Sequence, residues 1–162
     1  MTRTFLCRDI NGDAHLVAEA ELVQRTSVYV IAIQADTVLL VRDGTGRNGL
    51  WDLPGGGVEP GEARLDALER ELLEETGLRL AAEPTHLCEF TEYFFDLQSR
   101  RGWESTRCYY VGGVSGVPRA EGNGADVAAC RHVPLPLVSG EVGAVARRMT
   151  ELALASMDVE QR

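Results

Sequence analysis

The 162-residue sequence predicts an α/β chain in which a mixed β-sheet lies between helices on both faces. Three observations carry this. Ser27 to Gln34 is a near-continuous apolar run rich in β-branched residues, as expected of a strand covered on both sides. Leu65, Leu68 and Leu72 recur at helical spacing in the middle of the chain, ahead of Gly77 as a stop signal. Val142, Val145, Ala146, Met149, Leu152 and Ala153 form a second stripe of the same period near the end. The order of these elements does not by itself determine the topology.

Element by element, Phe5-Leu6-Cys7 and His15-Leu16-Val17 flank an Asn11-Gly12 turn and read as an N-terminal hairpin over about residues 1–20. The run at 27–34 follows as a central strand, and Val38 to Val41 is a shorter one. Asp43 to Gly49 is rich in turn formers and leads into Leu50-Trp51-Asp52-Leu53-Pro54. Beyond the first helix, Thr85–Leu97 and Trp103–Val114 read as a hairpin around Ser99-Arg100-Arg101-Gly102. Ser115 to Ala125 reads as a surface loop and Val127 to Val133 as a last strand, ended by Pro134 and Pro136.

Length suits one domain, residues 1–162, with a real core. No apolar run approaches the roughly 20 residues of a membrane span, and charges interrupt the N-terminal apolar stretch, so the expectation is a cytoplasmic chain with no membrane partner. A net charge of −9 disfavours nucleic-acid polymers, which are held through clustered cations, but leaves single nucleotides open. All 16 basic residues are arginine, which excludes P-loop, Schiff-base and lysine-base chemistry. Cys7, Cys88, Cys108 and Cys130 are far apart, form no CxxC pair and read as packed thiols.

The chemistry lies between Gly56 and Leu78. Gly56, Glu62, Arg70, Glu71, Leu72, Glu74, Glu75, Gly77 and Leu78 stand at the intervals Gly-x5-Glu-x7-Arg-Glu-Leu-x-Glu-Glu-x-Gly-Leu, which chance would supply about once per billion start positions. At 100° per residue, with Glu71 at zero, Glu75 falls at about 40° and Glu74 at about 300°, so the three carboxylates share one arc. Leu68, Leu72 and Leu65 lie beside that arc at about 60°, 100° and 120°, which predicts acids in a partly buried groove, with Ala63 and Ala67 as small side chains beneath them. Carboxylates so placed repel one another and call for a cation, and hard divalent ions prefer carboxylate oxygen. Glutamates on a helix are ordinarily a solvated face, but the joint register of glycines, arginine and leucines outweighs that reading.

With these intervals the chain resembles the Nudix hydrolases of the MutT type at every required position. The resemblance implies an α/β/α sandwich and a nucleotide pyrophosphohydrolase that cleaves the diphosphate linkage of a nucleoside diphosphate derivative with Mg²⁺ or Mn²⁺. It implies Glu71, Glu74 and Glu75 as metal ligands and catalytic acids, with Arg70 and Glu62 as a supporting pair between helix and loop. Family members are often dimers, which leaves a homodimer open, although no feature of the sequence demands one. A fourth acid often stands before the last strand, where Asp126 and Glu121 are candidates, with Asp126 preferred.

On the substrate side the candidates are Gly56, Trp51, Tyr93 and Asp126; Trp51, Tyr93 and Trp103 could each stack on a base or pack in the core. Arg100 and Arg101 could meet phosphate or solvate their turn. Tyr93 stands where ADP-ribose hydrolases of the family often carry proline, a lean towards dinucleoside polyphosphates, and noncanonical nucleoside triphosphates fit as well. The rival class is a nucleotide-sensing module of the same fold without turnover. Such modules usually have damaged acids, and these are intact.

Overall fold

A computed structural model of the chain describes residues 3–44 and 49–160. In chain order the strands are β1 (Thr4–Arg8), β2 (Ala14–Ala18), β3 (Val23–Ile31), β4 (Ile33–Gln34), β5 (Thr37–Asp43), β6 (Trp51–Asp52) and β7 (Gly55–Gly57). Helix α1 (Arg64–Thr76) follows, then β8 (Arg79–Leu80), β9 (Thr85–Asp96), β10 (Arg101–Val111), β11 (Val114–Ser115), β12 (Val127–Pro134) and helix α2 (Ala144–Glu160). The centre of the predicted 43–49 turn, residues 45–48, lies outside the described residues.

A six-stranded sheet has the order β2-β1-β9-β10-β3-β7, and a second has β12-β5-β4, with β6 added beside β5. The pairing is mixed: β3 runs parallel to β10 and antiparallel to β7. Because successive residues of a strand face opposite ways, one set of side chains meets α1 and the alternate set meets α2. Val28, Val30, Leu39, Val41, Cys108 and Tyr110 pack with Leu68 and Leu72 of α1. Ile31, Val38, Leu40 and Tyr109 pack with Ala146, Met149 and Ala153 of α2. The sandwich expected from the sequence is the one formed. Leu68 and Leu72 are fully buried, so truncating either to alanine would cost about 2 to 5 kcal/mol.

The expected 27–34 strand divides between the two sheets. β3 ends at Ile31, and Ile33-Gln34 pairs with Thr37-Val38 across a tight turn in which Ala35 takes a φ of 50°. The glycine pair Gly112-Gly113 ends β10 early, so Val114 leaves it to pair with Leu80. β12 reaches one residue further than expected, with Pro134 opposite Thr37 at the strand end, a position where the missing N–H is tolerated. Ala63 caps α1 from outside the helix and is exposed, so only Ala67 lies beneath the acids. On the second stripe, Val145 is solvent-exposed, and Val142 precedes α2 and bridges to Trp51. All four cysteines are free, three of them buried. Among the described residues no helix is long and apolar enough to cross a membrane.

Candidate functional site

The site forms where α1 crosses the glycine turn of β7. Gly55 has a φ of 150°, and a Cβ there would lie 2.0 Å from the Val28 carbonyl oxygen, so the turn can press on β3 only as glycine. Its N–H donates to Glu75 Oε2 at 2.8 Å. At Gly56 the space of a Cβ is filled by the Glu71 carboxylate, whose atoms lie 2.4 to 2.6 Å from where that carbon would be. The two glycines therefore serve different ends, one admitting the strand and the other admitting an acid.

Arg70 ties these parts together. Its Nε and Nη2 donate to the two oxygens of Glu62 at 2.8 and 2.9 Å, and Nη2 also donates to the Gly57 carbonyl at 2.9 Å. Nη1 donates to Glu71 Oε1 at 2.9 Å and, more loosely, to Glu74 Oε2 at 3.4 Å. Glu62 Oε2 accepts a further bond from the Glu59 N–H. A fork of donors matched to a carboxylate is the geometry arginine supplies and lysine does not. The Arg70 hydrogen bonds, aided by the Glu59 N–H, hold Glu62 down at about 2. Arg70 itself is raised, first by its bonds to Glu62.

The acids of the α1 arc respond in the opposite sense. Glu75 is 8% exposed, and burial above all, reinforced by the negative charges of Glu71, Asp126 and Asp52, pushes it up to about 8 against the pull of the Gly55 N–H. Glu71 is raised by burial in spite of Arg70, with Glu74 and Asp126 adding to the rise. Glu74 is over half exposed. The helix stops where expected: Gly77 takes a left-handed φ of 78° and its N–H bonds to the Leu73 carbonyl.

Of these acids Glu75 opens on a cavity of about 650 Å³ that Asp126, Arg25, Arg107, Tyr29 and Phe94 also line. Of the sequence candidates, the structure brings together Glu62, Arg70, Glu71, Glu74, Glu75 and Gly56, and sets Asp126 at the cavity. Tyr93 is not brought there. It pairs with Glu104 across the β9–β10 ladder, stacks on Phe5 at 4.6 Å and faces away from Arg107, whereas Phe94, one residue on, turns into the cavity. Trp51 is buried among Leu40, Leu53 and Val142, with the Arg131 guanidinium 4.4 Å over its ring. Glu121 is exposed and does not line the cavity, and Arg100 sits in the hairpin turn while Arg101 opens β10 opposite Asp96, neither at the cavity.

Sequence reasoning missed Arg25, Asp52, Phe94 and Arg107. The alternation of β10 held the signal, since Trp103, Ser105 and Arg107 share one face, but which face meets the site depends on a register that the hairpin turn sets. Asp52 is raised by burial in the cavity wall, and Arg107 is held at 2.6 Å by Glu92.

A family model described as the NUDIX domain matches residues 23–152. Over 32 residues the chain is 62% identical to a putative 8-oxo-dGTP diphosphatase of Bacillus subtilis (strain 168), covering 20% of this chain and 22% of that one. Over 60 residues it is 45% identical to the nucleoside triphosphatase NudI of Enterobacter sp. (strain 638), covering 35% and 43%. These matches span between a fifth and a little over two fifths of the relatives' length. Among solved structures, a MutT NUDIX hydrolase from Burkholderia pseudomallei superposes with a TM-score of 0.66 at 24% identity, covering 80% of this chain and 98% of that one, which is a likeness of fold. The glycine turn, the Arg70 hub and the carboxylate arc all lie inside the matched segment, and the chain belongs to the NUDIX hydrolase family.

Proposed function

We propose that the chain is a divalent-metal-dependent hydrolase of the diphosphate linkage in nucleoside triphosphates or related nucleoside diphosphate derivatives. The observation that supports it most directly is the pairing of two acids with one glycine turn: Glu75 bonded to Gly55 and lining an arginine-bearing cavity, and Glu71 seated on Gly56 next to it. Nudix hydrolases generally need divalent metal ions. Among the described residues no three acids converge at ligand spacing, but the donors available are all carboxylate oxygens under mutual repulsion, the set that Mg²⁺ or Mn²⁺ favours. Glu71, Glu75 and Glu74 would hold such an ion, which when bound supplies charge neutralisation at phosphate and a more acidic water.

The chain's own residues do the remainder. Arg70 fixes the Glu71 carboxylate in direction through Oε1 and, among the described residues, leaves Oε2 without a hydrogen bond. Gly55 occupies Glu75 Oε2, so Oε1 is the atom left to hold or take a proton. Arg25 and Arg107 line the same cavity as Glu75 and can donate to phosphate and base oxygens, and Phe94 offers an aromatic face. The polar lining suits a nucleotide more than an apolar ligand. The curated names of the relatives, a diphosphatase and a nucleoside triphosphatase, point to the same class.

The test is a panel of canonical and oxidised nucleoside triphosphates, dinucleoside polyphosphates and ADP-ribose, each incubated with Mg²⁺ or Mn²⁺, with phosphate and pyrophosphate release measured. Turnover of one class establishes the substrate. Saturable binding with no product from any of them would replace this reading with the sensing one.

A further inference from the structure

α1 ends without a basic residue in its last turn, although its C-terminal carbonyls carry partial negative charge that a cation there would stabilise. The cation comes instead from the loop between β11 and β12. Arg119 Nη2 donates to the carbonyl oxygens of Leu73 and Glu74 at 2.5 and 2.9 Å, and the Arg119 N–H donates to the Thr76 carbonyl at 2.8 Å. The stem of Arg119 passes over Gly77, where a Cβ would lie 3.2 Å from its Cγ and Nε. Glycine at the helix stop thus serves both the left-handed turn and the passage of this side chain.

The same loop then carries an acid to the cavity. The Gly122 N–H bonds back to the Arg119 carbonyl, Asn123 Oδ1 accepts from the Ala125 and Val127 N–H groups, and Asn123 Nδ2 donates to Asp126 Oδ1 at 2.8 Å. The Asp126 carbonyl accepts from Gly44. Asp126 lines the cavity with Glu75, and its charge adds to the rise of both Glu71 and Glu75. One end of the loop is therefore fastened to the helix bearing the acids, and the other presents a further acid to the cavity that Glu75 lines.

We propose that Arg119 is a positioning residue: by gripping the C-terminal carbonyls of α1 it sets the distance between Asp126 and the Glu71–Glu75 pair, and so tunes the site without touching substrate. This rests on the hydrolase reading above. Both carbonyls are served by one guanidinium nitrogen, Nη2, so lysine at this position would keep the charge and several N–H donors but not the planar head or its reach.

The test is a double-mutant cycle of Arg119→Ala and Asp126→Asn, with Arg119→Lys alongside, reading kcat and KM on the substrate found by the panel and, separately, the affinity of the chain for Mn²⁺ alone. Arg119→Ala should lower kcat about tenfold, the lower end for losing a group that orients a functional side chain, and Arg119→Lys should recover part of it. In the Asp126→Asn background Arg119→Ala should have no further effect on kcat or on Mn²⁺ affinity. Equal losses in both backgrounds would show a general helix cap and overturn the proposal, as would a fully active Arg119→Ala. Should Arg119→Ala not fold, Arg119→Lys and Arg119→Gln close the same cycle. A wild-type chain that hydrolyses nothing defeats the hydrolase reading alone, and the Mn²⁺ cycle then decides the role of Arg119.

Discussion

α1 and α2 lie on opposite faces of the same strands, and both bury an apolar stripe with one threonine inside it. Thr76 donates its hydroxyl to the Leu72 carbonyl, and Thr150 donates to that of Ala146, so each helix satisfies its buried hydroxyl internally. They differ at the edges of the stripe. α1 buries a carboxylic acid, Glu75, and reaches its neighbours through Arg70 and Glu71, whereas the ion pair Arg148–Glu151 of α2 stays on its own exposed surface. The contrast teaches that packing on a sheet sets where a helix goes, and that its polar partners in other segments set what it does. A buried acid lowers stability unless something uses it, and that loss is what α1 accepts and α2 avoids.

The sharpest way to break this comparison is Glu75→Gln, which keeps shape and the bond from Gly55 but removes the charge. Turnover should fall at least about a hundredfold. Stability should move the other way. Glu75 rises from 4.5 to about 8 on folding, so the fold favours its protonated form. The stability that proton provides is complete below pH 4.5 and is lost as pH climbs through 8. In the metal-free chain Glu75→Gln should then be more stable than the parent by on the order of 2 to 4 kcal/mol at pH 8, with the gap closing below about pH 5. Thermal melts in chelator across that range measure it. A variant both inactive and less stable at pH 8 would show that Glu75 is a structural residue.

Gly56→Ala is the next in size. The new methyl would meet the Glu71 carboxylate, the movable end of a side chain, whereas Gly55→Ala would meet the backbone of Val28. Gly56→Ala should therefore lower kcat about tenfold, as expected for misdirecting Glu71 if it holds the ion as proposed, with Tm little changed. Gly55→Ala should unfold the turn. Equal losses of Tm for both would erase the distinction drawn between the two glycines.

How much of this was legible in the sequence follows from the range of the contacts. The α1 acids, Arg70 and Gly77 were readable because a helix converts spacing directly into direction, and Glu62 lies one loop away. Tyr93 and Phe94 were not separable, because which of two adjacent strand residues faces the cavity depends on the Leu97–Arg100 turn, in which Arg100 takes a φ of 55°. Trp51 beside the glycine turn could have met a ligand, but its ring is claimed by the core and by Arg131. Arg119 left no local mark at all, since its partners stand 45 and 46 residues away.

A gentler probe of the α1 side is pH. Glu62 is lowered from 4.5 to about 2 by Arg70, so the stability it contributes is present above pH 4.5 and is lost as pH falls towards 2. Melts of the parent should decline through that window, and Glu62→Gln should decline less steeply. Parallel curves for the two chains would mean that the Arg70 pair does not hold loop to helix.

The smallest effect belongs to α2. Arg148 and Glu151 are 65% and 57% exposed and pair at 3.2 Å one turn apart. An exposed pair of this kind yields little, because solvent screens the attraction and two long side chains lose freedom to make it. Replacing both by alanine should change stability by no more than about 0.5 kcal/mol and leave kcat unaltered. A large loss of turnover from that double substitution would place α2 in the site and dissolve the contrast between the helices. A Tm within about a degree or two of the parent would leave the contrast where the structure puts it, in the segments that Arg70, Glu71 and Glu75 reach and Arg148 does not.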